Sequence, residues 1–132
     1  MYEFHGWIKL AESPSEIDEG GLDKKIENLE KVLSKFEWLN GRCEIIAMNG
    51  THVLVLNAAL NRRRSEAENL STVIKLIVND FKGAYGIIYE YDEQVSLSYG
   101  RGIFCVKVIK RGFCETLLDP FLSPTIPVVE NY

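Results

Sequence analysis

Arg42-Cys43-Glu44-Ile45-Ile46-Ala47-Met48-Asn49-Gly50-Thr51-His52-Val53-Leu54-Val55-Leu56-Asn57-Ala58 is the stretch that decides the fold. Residues 42 to 48 and 51 to 58 are rich in branched side chains, which suit a pleated, half-buried backbone. Between them stands Asn49-Gly50, the pair that accepts positive φ at both central positions of a type I′ turn. The segment therefore predicts two antiparallel strands joined by a two-residue turn. A lone hairpin is marginal in water, so its apolar face needs a cover from the flanking sequence.

That cover is legible on both sides. Upstream, Leu22, Ile26, Leu29, Leu33 and Phe36 recur at helical spacing, predicting an amphipathic helix from 22 to about 37. Its outer face carries Lys24, Lys25, Glu27, Glu30 and Lys31, with Glu27 and Lys31 four apart in the favourable order, worth a few tenths of a kcal/mol. Downstream, Ser65-Glu66-Ala67-Glu68 has the form of a capping box, and Leu70, Val73, Ile74, Ile77, Val78 and Phe81 form one stripe of a second helix, 66 to 81, stopped at Lys82-Gly83.

Four more strands complete the pattern. In residues 2 to 11, Tyr2, Phe4, Gly6, Ile8 and Leu10 alternate with Glu3, His5, Trp7 and Lys9. In residues 84 to 91, Tyr85, Ile87, Tyr89 and Tyr91 alternate with Gly86, Ile88 and Glu90. Residues 102 to 109 and 113 to 118 read as two strands joined near Lys110-Arg111-Gly112. The order β-α-β-β-α-β-β-β, with one apolar stripe per helix, predicts an α+β two-layer sandwich, two helices on one face of a mostly antiparallel sheet. Its first six elements have the ferredoxin-like split βαβ order. Pro120, Pro124 and Pro127 keep the tail out of regular structure, and its Phe121, Leu122, Ile126, Val128 and Val129 predict an extended segment laid against the body.

With 132 residues and no repeat or linker, the chain is expected to form one domain over 1–132. No apolar run suggests a membrane span, and MYEFHGWIKL lacks the features of a secretory signal, so a cytoplasmic protein is expected. Cys43, Cys105 and Cys114 are odd in number and show no CxxC spacing, which points to reduced thiols rather than a disulfide frame or zinc knuckle. The net charge of -4 argues against a protein devoted to nucleic-acid phosphate. It is uneven: residues 1 to 37 hold five lysines against nine carboxylates, while residues 38 to 83 hold six basic against four acidic side chains.

No reactive constellation emerges. His5 and His52 lie in strands without a partner at metal-site spacing, and strand histidines on a sheet face explain them. Gly83-Ala84-Tyr85-Gly86 and Gly100-Arg101-Gly102 lack the context of a dinucleotide or phosphate loop. No catalytic residue, cofactor site or metal site is therefore expected. Arg62-Arg63-Arg64 is the one basic cluster; it reads either as a phosphate or RNA contact or as surface pairing with Glu66 and Glu68. Tyr89, Glu90, Tyr91, Asp92 and Glu93 mix aromatics and acids at a strand end, which suits either a grip on a basic protein surface or core tyrosines beside a solvated turn.

Tyr2-Glu3-Phe4-His5-Gly6-Trp7, Asn61-Arg62-Arg63, Gly83-Ala84-Tyr85-Gly86-Ile87-Ile88-Tyr89 and Asp119-Pro120-Phe121-Leu122-Ser123-Pro124-Thr125-Ile126-Pro127-Val128 together resemble the immunity protein 7 family of bacterial polymorphic toxin systems. The resemblance runs from residue 2 to residue 130, in family order. The chain departs from it at Arg62, where histidine is expected, at Thr125, where cysteine is expected, and in an acidic run shortened to Asp92-Glu93. The resemblance implies an antitoxin without enzymatic activity that binds a cognate toxin domain, a nuclease among the candidates, without contacting nucleic acid or membrane itself. A homo-oligomer is compatible with it. The contact residues expected are Glu16, Asp18 and Glu19 in the first loop, Tyr91, Asp92 and Glu93 after the fourth strand, and Arg62 with Arg63 should the toxin be acidic. The alternatives are a small-molecule-binding or enzymatic α+β domain and an RNA-binding domain using Arg62 to Arg64.

Overall fold

The computed structural model describes residues 1–13, 20–38, 40–61, 65–97 and 102–121. Within them lie β1 (Tyr2–Leu10), α1 (Leu22–Ser34), β2 (Gly41–Met48), β3 (Thr51–Leu60), α2 (Ser65–Asp80), β4 (Tyr85–Asp92), α3 (Glu93–Leu97), β5 (Cys105–Lys110) and β6 (Phe113–Leu118). The strands form one sheet in the order β2-β3-β1-β4-β5-β6, and each neighbouring pair is antiparallel. Its first four strands have the split βαβ arrangement: β1 and β2 run the same way with β3 between them, and the β5–β6 hairpin extends the β4 side.

Turn chemistry sets the two hairpins. Asn49 (φ 49°) and Gly50 (φ 78°) join β2 to β3, with Met48 opposite Thr51, as the NG pair predicts. Arg111 (φ 49°) and Gly112 (φ 76°) do the same between Lys110 and Phe113. Gly83 answers a different need. A Cβ there would lie 1.9 Å from the Ser13 carbonyl oxygen, and its N–H donates to the Ala11 carbonyl at 3.2 Å, so only glycine lets the end of α2 meet the end of β1.

The helices cover one sheet face. Tyr2, Phe4, Ile8 and Leu10 of β1, Leu54, Leu56, Ala58 and Leu60 of β3, and Ile88 and Ile109 of β4 and β5 are buried against Ile26, Leu29 and Leu33 of α1 and Leu70, Val73, Ile74 and Ile77 of α2, with Phe81 closing the end. The helical phases inferred from periodicity are thus those of the fold. α1 stops at Ser34, sooner than the apolar spacing suggests, and Phe36 reaches the core from the following turn, its ring 6.1 Å from Trp38, which meets Phe4 at the same separation. Glu27 and Lys31 pair at 3.4 Å on the solvated side.

Further details depart from the sequence reading. Residues 102–104 precede β5 rather than starting it; Ile103 is buried and the Phe104 carbonyl accepts the Asp119 N–H at 2.9 Å. Short α3 has no periodicity long enough to announce it. Ser65 is already the first residue of α2, and Glu66, in step with Leu70, Val73 and Ile77 on the buried stripe, faces inward at 1% exposure. Its Oε2 meets no donor among the described residues. In β4, the register against β1 places Gly86, Ile88 and Glu90 on the helix-covered face and the more apolar set, Tyr85, Ile87, Tyr89 and Tyr91, on the opposite one. Phe121, expected to lie against the body, is instead 79% exposed, following the buried Asp119 whose Oδ1 accepts the Phe121 N–H at 3.2 Å; the rest of the expected tail packing falls on residues 122–132, outside the described residues.

Candidate protein-binding surface

The sheet face opposite the helices can be read row by row from the strand registers. One row runs Ile46, Val53, Lys9, Tyr85, Lys110, Phe113 from β2 to β6. The next runs Glu44, Val55, Trp7, Ile87, Val108, Glu115, and the third Arg42, Asn57, His5, Tyr89, Val106, Leu117. Such a face alternates with the core by strand geometry, and on an antiparallel sheet it is ordinarily polar. Here its middle row is apolar from Val55 through Trp7 and Ile87 to Val108, and its β4 column is Tyr85, Ile87 and Tyr89. Trp7 is 44% exposed, Tyr85 47% and Phe113 72%, with Ile46, Met48 and Leu117 also exposed.

Polar groups on this face are largely paired. His5 faces Glu3 through Nε2 (2.8 Å to Oε2) and the Asn57 side-chain oxygen through Nδ1, while Arg42 pairs with Glu44. At the far end Phe104 packs edge-on against Tyr89 and Tyr91, with centroids 6.1 and 5.9 Å apart, and closes that corner. At the near end the Trp7 and Tyr85 rings meet edge to face at 6.2 Å, and Lys9 Nζ lies 5.5 Å from the Tyr85 centroid.

The candidate contact residues fall in different places. Tyr91 is buried behind Phe104, so it supports the strand end rather than standing out from it. Asp92 accepts the Gln94 N–H at 3.1 Å and starts α3, and Glu93 pairs with the Met1 amino group at 2.5 Å. Glu16, Asp18, Glu19, Arg62 and Arg63 lie outside the described residues. Their flanks are informative. Tyr2 stands opposite both Leu60 and Asp92, so the chain enters segment 62–64 at the same sheet end as Asp92-Glu93. Segment 14–19 departs beyond Leu10, eight strand steps or about 26 Å away. Glu12, just ahead of that segment, is engaged: its Oε2 accepts the Gly21 N–H at 3.2 Å and its Oε1 pairs with Lys25 at 3.3 Å, tying the end of β1 to the start of α1.

Chemistry of the enzymatic kind has little to work with among the described residues. No group of three or more His, Cys, Asp or Glu there could hold a metal ion. Burial pushes the Cys43 thiol up to about 12, helped by Glu44, and raises Cys105 and Cys114 as well. The two lie on adjoining strands but four steps out of register, Cys105 opposite Leu118 and Cys114 opposite Ile109. A cleft of about 200 Å³ between α2 and β4–β5 is lined by Lys75, Ser71, Glu90 and Lys107. It is smaller than ordinary ligand pockets, and Glu90 is engaged there by Lys107 at 3.6 Å and by the Tyr2 hydroxyl, which donates at 2.5 Å.

The described residues thus form an antiparallel split βαβ sandwich whose open sheet face exposes Trp7, Tyr85 and Phe113. The model of the immunity protein 7 family matches residues 1–131, and the chain belongs to that family. No curated protein and no solved structure matches it. Sequence reading had not found the open face as a surface. Its signal was present in β4, where one alternating set is Tyr85, Ile87, Tyr89 and Tyr91 and the other carries Ile88, but which set faces the helices depends on the register with β1.

Proposed function

We propose that this protein is the antitoxin of a polymorphic or contact-dependent inhibition system and neutralises its cognate toxin domain by stoichiometric binding in the cytoplasm, without catalysis. Family membership implies the toxin partner. The observation that carries the binding mechanism is the exposed aromatic and aliphatic sheet face around Trp7, Tyr85 and Phe113, since tight complexes gain most of their free energy from desolvated aromatic anchors. Asp92 and Glu93, at the far end of the sheet, are proposed as rim groups that steer a basic patch of the toxin. In keeping with this reading, no helix among the described residues is long and apolar enough to cross a membrane.

The test is co-expression with the toxin domain encoded beside its gene. Growth should be restored, and the two chains should co-purify at one to one. Restored growth with no isolable complex would replace binding by another mode of protection.

A further inference from the structure

The open face is not electrostatically uniform, and its polarity runs against the charge of the whole chain. In the row Ile46, Val53, Lys9, Tyr85, Lys110, Phe113 there are two lysines and no carboxylate, in a protein of net charge -4. Arg111 extends this basic strip at the adjoining hairpin turn. Neither Lys9 nor Lys110 forms an ion pair among the described residues, whereas Arg42, Lys25, Lys31 and Lys107 each do. Lys9 instead lies beside the Tyr85 ring, and Lys110 stands between Tyr85 and Phe113 in the cross-strand register. The most exposed rings of the face are thus interleaved with cations that have no ion-pair partner among the described residues.

We propose that this row, backed by Trp7, is the anchor surface for the toxin, and that the toxin presents there an apolar hollow rimmed by carboxylates. The proposal rests on the antitoxin reading above and specifies its surface and polarity. The dimensions suit it. Six strands at about 4.8 Å spacing and the length of β1 give a flat footprint of about 600 Å², close to one side of a standard protein interface once side-chain relief is added. Within it, Trp7, Tyr85 and Phe113 are residue types over-represented at the centre of interfaces, and the lysines beside them supply the direction of charge complementarity. A second copy of this chain is a poorer occupant, because its own face answers two lysines with Glu3 and Glu44, already engaged by His5 and Arg42, and with Glu115 alone.

The experiment uses the complex with the toxin domain encoded beside the gene, its dissociation constant measured at two salt concentrations. Replacing Trp7→Ala with Tyr85→Ala should weaken binding about 100-fold or more, in line with loss of two aromatic anchors. Lys9→Glu with Lys110→Glu should weaken it at least 10-fold and reduce its salt dependence, while Lys24→Glu on the opposite layer changes neither. The rings and Lys110 are solvent-exposed and Lys9 is half-buried, so melting temperatures should shift only slightly; Phe113→Asp, on the edge strand, provides a second variant should the Trp7 and Tyr85 pair prove insoluble. Unchanged affinity in the face variants, with wild-type protein binding tightly, would overturn this surface and leave the antitoxin reading standing. Failure of the wild-type protein to bind would overturn both. Tighter binding by the Lys→Glu pair would invert the polarity assigned to the toxin. The chain alone should sediment as a monomer and show no tryptophan quenching with a single-stranded RNA oligonucleotide. A dimer dissociated by the Trp7 and Tyr85 changes, or saturable quenching lost with them, would give the face to a different occupant.

Discussion

Replacing Glu66→Met should stabilise the protein. Glu66 is in the first turn of α2 and almost wholly buried, and its Oε2 has no donor among the described residues. An unsatisfied buried polar atom costs about 1–3 kcal/mol. Against removal stands the favourable placement of a negative charge at a helix N-terminus, worth about 0.3–1 kcal/mol. The first effect wins, and methionine keeps the length and approximate volume of the side chain, so the expected net gain is about 1 kcal/mol, or roughly 3–4 °C in melting temperature for a chain of this size. Glu66→Gln is the informative companion, because it gives up the charge, keeps an oxygen and adds buried N–H donors; it should lie below wild type. Urea titrations followed by circular dichroism give both midpoints, with equal slopes confirming that only stability has changed. A loss of 1 kcal/mol or more in the methionine variant would show that the carboxylate holds a bond worth keeping, and the account of an orphaned oxygen would be refuted.

Three further outcomes follow from the packing and the titrating groups. Leu29→Ala and Ile77→Ala, each made at a fully buried position, should cost about 2–5 kcal/mol, read as a fall in urea midpoint; a cost under 1 kcal/mol would mean that the helix does not press on the sheet there. Cys43 is held protonated to about 12 in the folded chain against 9.0 without burial, so above pH 9 the unfolded state sheds a proton that the folded state keeps. Stability should therefore be complete below pH 9 and decline as pH rises towards 12, and Cys43→Ala should flatten that slope in urea midpoints taken from pH 8 to 10.5. Deleting residues 119–132 should lower the melting temperature, since the Asp119 N–H to Phe104 carbonyl bond and a buried side chain go with it; an unchanged value would show that the corner around Phe104 stands without them.

Local patterns account for most of the architecture. A 3.6-residue stripe needs only its own helix to be recognised, so Ile26, Leu29, Leu33, Leu70, Val73, Ile74 and Ile77 could be assigned to the core before any partner was known. Asn49-Gly50 and Arg111-Gly112 carry their turn geometry in their own backbones, and the element order leaves few topologies for two helices and a sheet. Family resemblance was legible in the same way, from short strings in order between residues 2 and 130, and the family model covers 1–131.

What tertiary structure decided is everything that depends on which residues become neighbours across strands. A period of two says that a strand has two faces but not which one the helices cover; in β4 the pairing of Ile88 with Gly6 and of Tyr85 with Lys9 settles it, and turns three tyrosines and an isoleucine away from the core. Glu66 reads as a surface acid by its chemistry, yet it shares the stripe of Leu70, Val73 and Ile77, and packing of α2 on the sheet covers that stripe to its first turn. The acids of the first loop and those after β4 read as one acidic character, yet β1 separates the places where their segments leave the sheet by its whole length. Lys9 and Phe113 are 104 positions apart in the chain, and only the order β1-β4-β5-β6 sets them in one row with Tyr85 and Lys110. Periodicity and turn preference are properties of a few consecutive residues, whereas the charge and shape of a surface are sums over residues brought together by register, and register is fixed only when the whole sheet closes on its core.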